Sequence, residues 1–452
     1  MSKQSRFVRI GMRAVPAGQW AVPVGQWAVP AGQWAVPAGK WALALALVVG
    51  MPVAGQQTRV EEIEAERDKK TAKLEPDTPS KLEQRLIYIK DAKVLERLTA
   101  GIGGFRVKLG GLGTGGGFGL GPQYLRTDLA RGSMFVDASA QASTRQWVRL
   151  EAAMGQPKTA NGRLFWEARA LHHNYNSLPF YGQGPDSQKI RRTNYRLENT
   201  AADGMVGAHL TKWLRAGFSS GYMWNNVGPG QDERYASSER VFPVRQASGI
   251  DRQTDFFRWG VFAQADYRDS KLGPRQGGNY TMRYDSYNDR GLRRHGFQRV
   301  DLEAQQYVPL FNKRRVIVLR GRTVMTVHDA DQTVPFYLQS VLGGSQDLRG
   351  FRPYRFYDEN MLVLNAEYRW EVFSGMDMAI FADAGKVTAK RSQLDFKNLE
   401  SAVGFGMRFN ARNATFIRID VGFSHEGFQV WFKFNDVFAQ RPFGSSAPSH
   451  IF

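Results

Sequence analysis

From Gly101 onward, apolar side chains recur at every second residue. Between Met361 and Trp370, for example, Leu362, Leu364, Ala366, Tyr368 and Trp370 share one face, and Asn365, Glu367 and Arg369 share the other. Ile417, Ile419, Val421 and Phe423 oppose Arg418, Asp420 and Ser424, and Phe428, Val430, Phe432 and Phe434 oppose Gln429, Lys433 and Asn435. A period of two puts alternate side chains on opposite faces of a strand. Strands buried in an α/β core would be apolar on both faces, so that class is disfavoured. A soluble antiparallel sandwich would alternate in the same way, and alternation alone does not separate it from a membrane barrel.

Strand length and connection length make the separation. The alternating segments number about sixteen and mostly run ten to fourteen residues, the length a tilted membrane strand needs. Their connections are unequal. Leu129 to Gly132, Phe311 to Arg314 and Ala411 to Ala414 are tight turns, whereas 175–191, 226–254 and 329–360 are long and polar. Short periplasmic turns opposite long external loops are the asymmetry of outer-membrane barrels. The fold expected is therefore all-β, a transmembrane antiparallel β-barrel of about sixteen strands spanning 101–438. An even count puts both chain ends on the periplasmic side, including a tail at 439–452.

Composition agrees with that class. Aromatic residues make up 12% and there are 47 glycines, a mixture that suits strands, turns and aromatic girdles. Mean hydropathy is −0.42, and beyond the N-terminus no stretch is apolar enough for a membrane helix. There is no cysteine, which removes disulfide, zinc-thiolate and thiol chemistry from consideration. The formal charge is +19, of which Lys3, Arg6, Arg9, Arg13, Lys40 and Arg59 contribute six cations before the first acid at Glu61. Nucleic acid is one partner for such a surplus. The cations are scattered through alternating segments and form no stripe, which favours outer-membrane lipid and lipopolysaccharide phosphates instead.

The N-terminal hundred residues differ. Residues 1–55 read as an export signal: a basic start, an apolar core WALALALVV from Trp41 to Val49, and a small-residue cleavage site before Gln56. Four copies of AVPAGQW or a close variant place Trp20, Trp27, Trp34 and Trp41 at a period of seven. Pro16, Pro23, Pro30 and Pro37 forbid a coiled coil there. The repeats read as an expanded signal region or as sequence upstream of the true start. Residues 56–100 are charged and helix-forming, with Ser80 and Glu83 as a capping box. This segment is expected to be a helical periplasmic tether, or a helix lying against the barrel mouth.

Two motifs make the reading specific. Leu348-Arg349-Gly350-Phe351 lies in the longest late loop, and Phe381-Ala382-Asp383-Ala384-Gly385 lies two strands on, with Glu367 between them. This region resembles the sixth external loop and following strands of the BamA–TamA bacterial surface-antigen superfamily, whose loop motif is (V/I)RGF and whose strand motif is F-x-D-x-G. Leu348 departs from the motif's Val or Ile. Five strands follow the loop and eleven precede it, as that barrel requires, and PFYGQGPDS from Pro179 to Ser187 is also similar to family members.

By parity Glu367 and Asp383 face the lumen on neighbouring strands, where two buried carboxylates need a cation or a proton. Arg349, on a loop long enough to fold inward, carries the planar fork able to satisfy both, and Gly350 permits a close backbone approach. The alternative is that these are ordinary charges in a water-filled lumen. At the barrel seam, the first strand lies in a glycine-dense stretch that includes Gly110 and Gly111, opposite a last strand carrying Phe428, Phe432 and Phe434. Glycine weakens a strand, so this contact is expected to be the weakest in the barrel. The competing reading is that these glycines make room for the folded-in loop.

The resemblance implies insertion or translocation of protein at the outer membrane. Members generally receive clients through periplasmic POTRA domains, for which residues 56–100 leave too little room. The expected function is therefore an assembly or transport barrel served by a separate periplasmic partner, or acting directly on lipid or protein at its seam. A plain pore or structural surface antigen is the alternative. Gly111, Gly113 and Gly116 match G-x-G-x-x-G, but a strand follows where a dinucleotide fold needs a helix. The seven histidines hold no metal-spaced motif. No catalytic residue, metal or cofactor is expected, and the chain is not expected to be an enzyme.

Overall fold

Alternation is written into the wall strand by strand. The strands are β1 (Phe105–Leu109), β2 (Gly119–Asp128), β3 (Met134–Ser143), β4 (Val148–Thr159), β5 (Leu164–Phe180), β6 (Thr193–His209), β7 (Leu214–Pro229), β8 (Phe256–Asp266) and β9 (Gly277–Asp289). They continue as β10 (Phe297–Leu310), β11 (Arg315–Val327), β12 (Ser340–Leu342), β13 (Phe356–Asp358), β14 (Asn360–Phe373), β15 (Met376–Thr388), β16 (Glu400–Ala411), β17 (Ala414–Ser424) and β18 (Gly427–Lys433). The computed structural model describes residues 102–438 apart from 111, 374, 412, 413 and 435–437. The signal region 1–55, the helical segment 56–100 and the tail 439–452 lie outside the described residues, as does Gly111.

Sixteen strands form one sheet in sequential order, from β1 through β11 and then β14 through β18, each antiparallel to the next. The two short strands β12 and β13 pair with each other inside the long connection between β11 and β14. Strictly sequential antiparallel order is what hairpin connections produce. Ala130 and Arg131, and likewise Ala160 and Asn161, hold positive φ in the short turns at one end of the sheet, the backbone that lets a hairpin follow the twist of its strands.

The polarity of the wall is the reverse of a soluble protein's. Leu120, Val206, Val261, Ile380, Val403, Phe405 and Val430 point outward and are exposed. Arg169, Arg258, Arg299, Arg320, Arg408, Arg418, Glu367 and Asp420 point inward and are buried. Apolar-out and polar-in strands suit a wall bathed in hydrocarbon, where every backbone group must be paired within the sheet. At the end carrying the long connections, aromatic side chains from many loops pack into a second core. Phe180, Tyr195, Phe242, Phe256, Phe336 and Tyr357 are its fully or almost fully buried centre.

The two edges of the sheet approach each other. Phe434, just past β18, packs its ring edge to face on Phe118 at 5.7 Å between centroids. The same ring lies 3.5 Å from where a Cβ on Gly110 would sit. Among the described residues β1 and β18 share no ladder. They are also short: β1 has five residues and β18 seven, against ten to seventeen in the other strands of the sheet. β1 stops at Leu109 because Gly110 turns to φ +69°, out of the extended region.

Candidate functional site

The connection between β11 and β14 folds into the interior and carries Arg349 to a fully buried position. Its guanidinium spans two strands. Nη1 donates to Glu367 Oε2 on β14 at 2.6 Å, while Nη2 and Nε donate to the two Asp383 oxygens on β15 at 2.8 and 2.9 Å. The Arg349 backbone N–H also reaches Asp383 Oδ2, at 3.1 Å. Beneath it the Phe381 ring lies 3.4 Å from the guanidinium carbon, adding a cation–π contact. Glu367, Phe381 and Asp383 therefore all touch the same side chain.

The flanking residues seat the loop. Leu348 and Phe351 are fully buried with Leu342, Val363, Val387 and Ala402. A Cβ on Gly350 would lie 2.6 Å from the Phe423 carbonyl oxygen and 2.8 Å from the Ala402 Cβ, so the loop reaches the wall only because this residue has no side chain. Gly385 sits where a Cβ would meet the Leu362 carbonyl at 2.8 Å and the Leu342 side chain at 3.2 Å.

Several partners here escape the sequence motifs. Glu367 Oε1 accepts from Arg369 at 2.7 Å and from Arg408 at 3.0 Å, and Arg408 continues to Asp420 on β17 at 2.5 Å. Arg418 contacts Asp420 at 3.0 Å and also donates to the Ser345 carbonyl of the loop. Asn365 donates to both Asp383 and the Asp347 carbonyl. Parity along β16 and β17 marks Arg408, Arg418 and Asp420 as inward residues. Only cross-strand register shows that they converge on Glu367. Three guanidinium groups around one buried carboxylate offset its loss of water.

The same loop is fastened to the last hairpin. Trp431 on β18 donates its indole N–H to the Arg349 carbonyl at 2.7 Å, and Ser424 donates to the Gly350 carbonyl at 2.9 Å. Gly422 on β17 lies so close that a Cβ there would sit 2.4 Å from the Arg349 carbonyl oxygen. Gly422→Ala is therefore expected to lift the loop off the wall at a cost of about 1–3 kcal/mol. Urea titration of the folded barrel, followed by its heat-modified gel mobility, measures this. An unchanged midpoint would mean the loop has room that this geometry denies it.

Of the seam residues, Gly110 and Phe434 are in contact, whereas Phe428 and Phe432 face outward and are exposed. The glycines after β1 also meet the loop. Gly115 approaches Pro353, and Gly344 approaches Thr114, whose hydroxyl lies 3.4 Å from that of Ser345. Above the loop, Tyr357 donates to the Pro179 carbonyl at 3.0 Å. Burial, with the facing Tyr195 hydroxyl adding to it, pushes the Tyr357 phenol well above its ordinary value, so it remains a donor. Among the described residues no cluster of His, Asp and Glu has the arrangement of a metal site.

A family model described as the Omp85 superfamily domain matches residues 121–434. The chain belongs to the Omp85 superfamily. Its placement is thus the bacterial outer membrane. The Omp85 chain is similar in fold to BamA from Haemophilus ducreyi lacking POTRA domains 1–3. Identity is 15%, coverage is 74% of this chain and 70% of that one, and the TM-score is 0.53. CdiB from Escherichia coli is similar at 12% identity and a TM-score of 0.50, covering 74% of this chain and 62% of that one. No curated protein matches the chain in sequence. BamA among the matched structures joins the Omp85 assignment to the surface-antigen resemblance of the loop and strand motifs.

Proposed function

We propose that this Omp85 protein closes into a barrel by apposing β1 and β18, and that it inserts or translocates protein, or lipid, at that seam. The observation that carries the reading is the pairing of a locked loop with an unladdered edge. Arg349 is anchored on β14 and β15, while its carbonyl meets Gly422 and Trp431 and the Gly350 carbonyl meets Ser424, which holds β17 and β18. The loop thus braces the last hairpin beside the one junction of the wall that lacks a ladder among the described residues. Strand edges with free N–H and C=O groups are templates for another strand, and a client strand entering there would gain the hydrogen bonds that β1 and β18 forgo.

We assign client delivery to a separate periplasmic partner, with the segment 56–100 as tether. A pore that conducts freely fits the geometry less well, because buried aromatic side chains of the long loops pack together at that end of the sheet. Depleting the protein in its own host tests the role. Altered abundance of other outer-membrane proteins or lipids is expected, and unchanged composition with altered solute uptake would favour the pore.

The orientation follows from the same reading. The long connections face outside and the short turns face the periplasm. Trypsin applied to intact cells is expected to cut at exposed loop cations such as Lys390, Arg391 and Arg245, and to spare Arg349, which is fully buried. Cleavage within 56–100 in intact cells would overturn the orientation.

A further inference from the structure

Past β18, Phe438 is buried on the lumenal face of β10 and β11 against Tyr307, Val316 and Val318. Tyr307 and Val318 are directly paired across the two strands, so the ring rests on a flat platform made by one register pair and its neighbour. Two further groups meet the same residue. The Arg320 guanidinium lies 5.5 Å from the ring centroid, and Gln305 donates its amide to the Phe438 carbonyl at 3.4 Å. An apolar platform with a cation reads an aromatic ring. An amide that holds the main-chain carbonyl reads any extended peptide, whatever its side chain. That division between pocket and main-chain contact is how extended peptides are recognised.

We infer that Gln305, Tyr307, Val316, Val318 and Arg320 form a lumenal subsite for an aromatic residue of an extended peptide, which Phe438 occupies in cis. The inference rests on the reading that this barrel handles polypeptide clients, and it names the chemistry by which it would hold one. Arg320 links the subsite to the loop, because it also donates to the Gln346 carbonyl and to Asp347. Exchange of the ring on one side of Arg320 is therefore felt at the loop on the other. A residue tethered five positions beyond Lys433 competes at an effective concentration of about the millimolar range. A free peptide at micromolar concentration should enter only when Phe438 is removed.

The test uses the full-length purified protein and a synthetic peptide copying residues 434–441, with a benzophenone in place of the second phenylalanine. Phe438→Ala is expected to be photolabelled on the segment 305–320 at least tenfold more than the unsubstituted barrel. A peptide with Ala in place of the aromatic residue Phe434, four positions before the probe, should label equally well, and blocking with unlabelled Phe-containing peptide should abolish labelling. Equal labelling of both barrels, or a folded Phe438→Ala barrel that is not labelled, overturns the subsite. Should Phe438→Ala fail to fold, Phe438→Leu carries the same comparison with an intermediate labelling expected. Phe438→Tyr, which keeps a ring on the platform, is expected to stay as weakly labelled as the unsubstituted barrel, and strong labelling of it also overturns the proposal. The labelling does not depend on outer-membrane composition, so the subsite and the assembly role fail separately.

Discussion

Arg349→Ala is expected to cost about 3–5 kcal/mol, the price of breaking a buried ion pair by removing one partner. The loss falls unevenly. Glu367 keeps Arg369 and Arg408, whereas Asp383 loses both guanidinium hydrogen bonds and retains only the residue 349 backbone N–H and Asn365. Asp383 is therefore the group whose burial becomes unfavourable. Arg349→Ala combined with Asp383→Asn should be less destabilised than the sum of the two single variants, because the orphaned charge is gone. Arg349→Lys should rescue little, since a point ammonium can neither bridge two carboxylates as a fork nor lie flat on Phe381. Urea midpoints of the four variants against the unsubstituted protein measure all three statements. Strict additivity would mean that Arg349 and Asp383 do not act as a unit.

Gly110→Cys with Phe434→Cys is expected to join the two edges and to abolish function until reductant is added. The distance suits the bond. A Cβ on Gly110 would lie 3.9 Å from the Phe434 Cβ, within the 3.5–4.5 Å typical of a disulfide. The positive φ at Gly110 costs a cysteine about 1–2 kcal/mol, which a disulfide worth typically 2–4 kcal/mol offsets. With no native cysteine, no other pairing competes. The readout is growth or outer-membrane composition with the oxidised variant as the sole copy, with a loss of at least tenfold expected relative to the reduced form. An oxidised barrel that supports normal composition removes seam opening from the mechanism.

The wall was legible because its signal is local and repeats. Alternation over 361–373 marks the strand Asn360–Phe373, and over 400–410 the strand Glu400–Ala411. It overran at the edges, where it suggests strands over 103–112 and 428–438. Gly110 leaves the extended region at one edge, and at the other the strand ends at Lys433, with Phe438 buried against the lumenal face of β10 and β11. β12 and β13 were illegible, since three residues hold no period. In the site, parity and motif pointed to Arg349, Glu367 and Asp383. Arg408, Arg418 and Asp420 needed register, which no single strand's pattern contains. The aromatic core at the mouth was hidden for another reason: loops carry no periodicity, and Phe180, Phe242 and Phe336 meet only after the wall has brought their strand ends together.

That last feature bears on how the molecule comes into being. Trp147, Phe242 and Tyr357 belong to one cluster yet are separated by about a hundred residues each. Contacts between residues so distant in sequence close long loops, and such contacts form late and slowly. Neighbouring strands need only hairpin closure, so the wall can be completed one hairpin at a time while the mouth stays open. Loop-closure entropy therefore favours an order of assembly in which the wall forms first and the aromatic core at its end forms last.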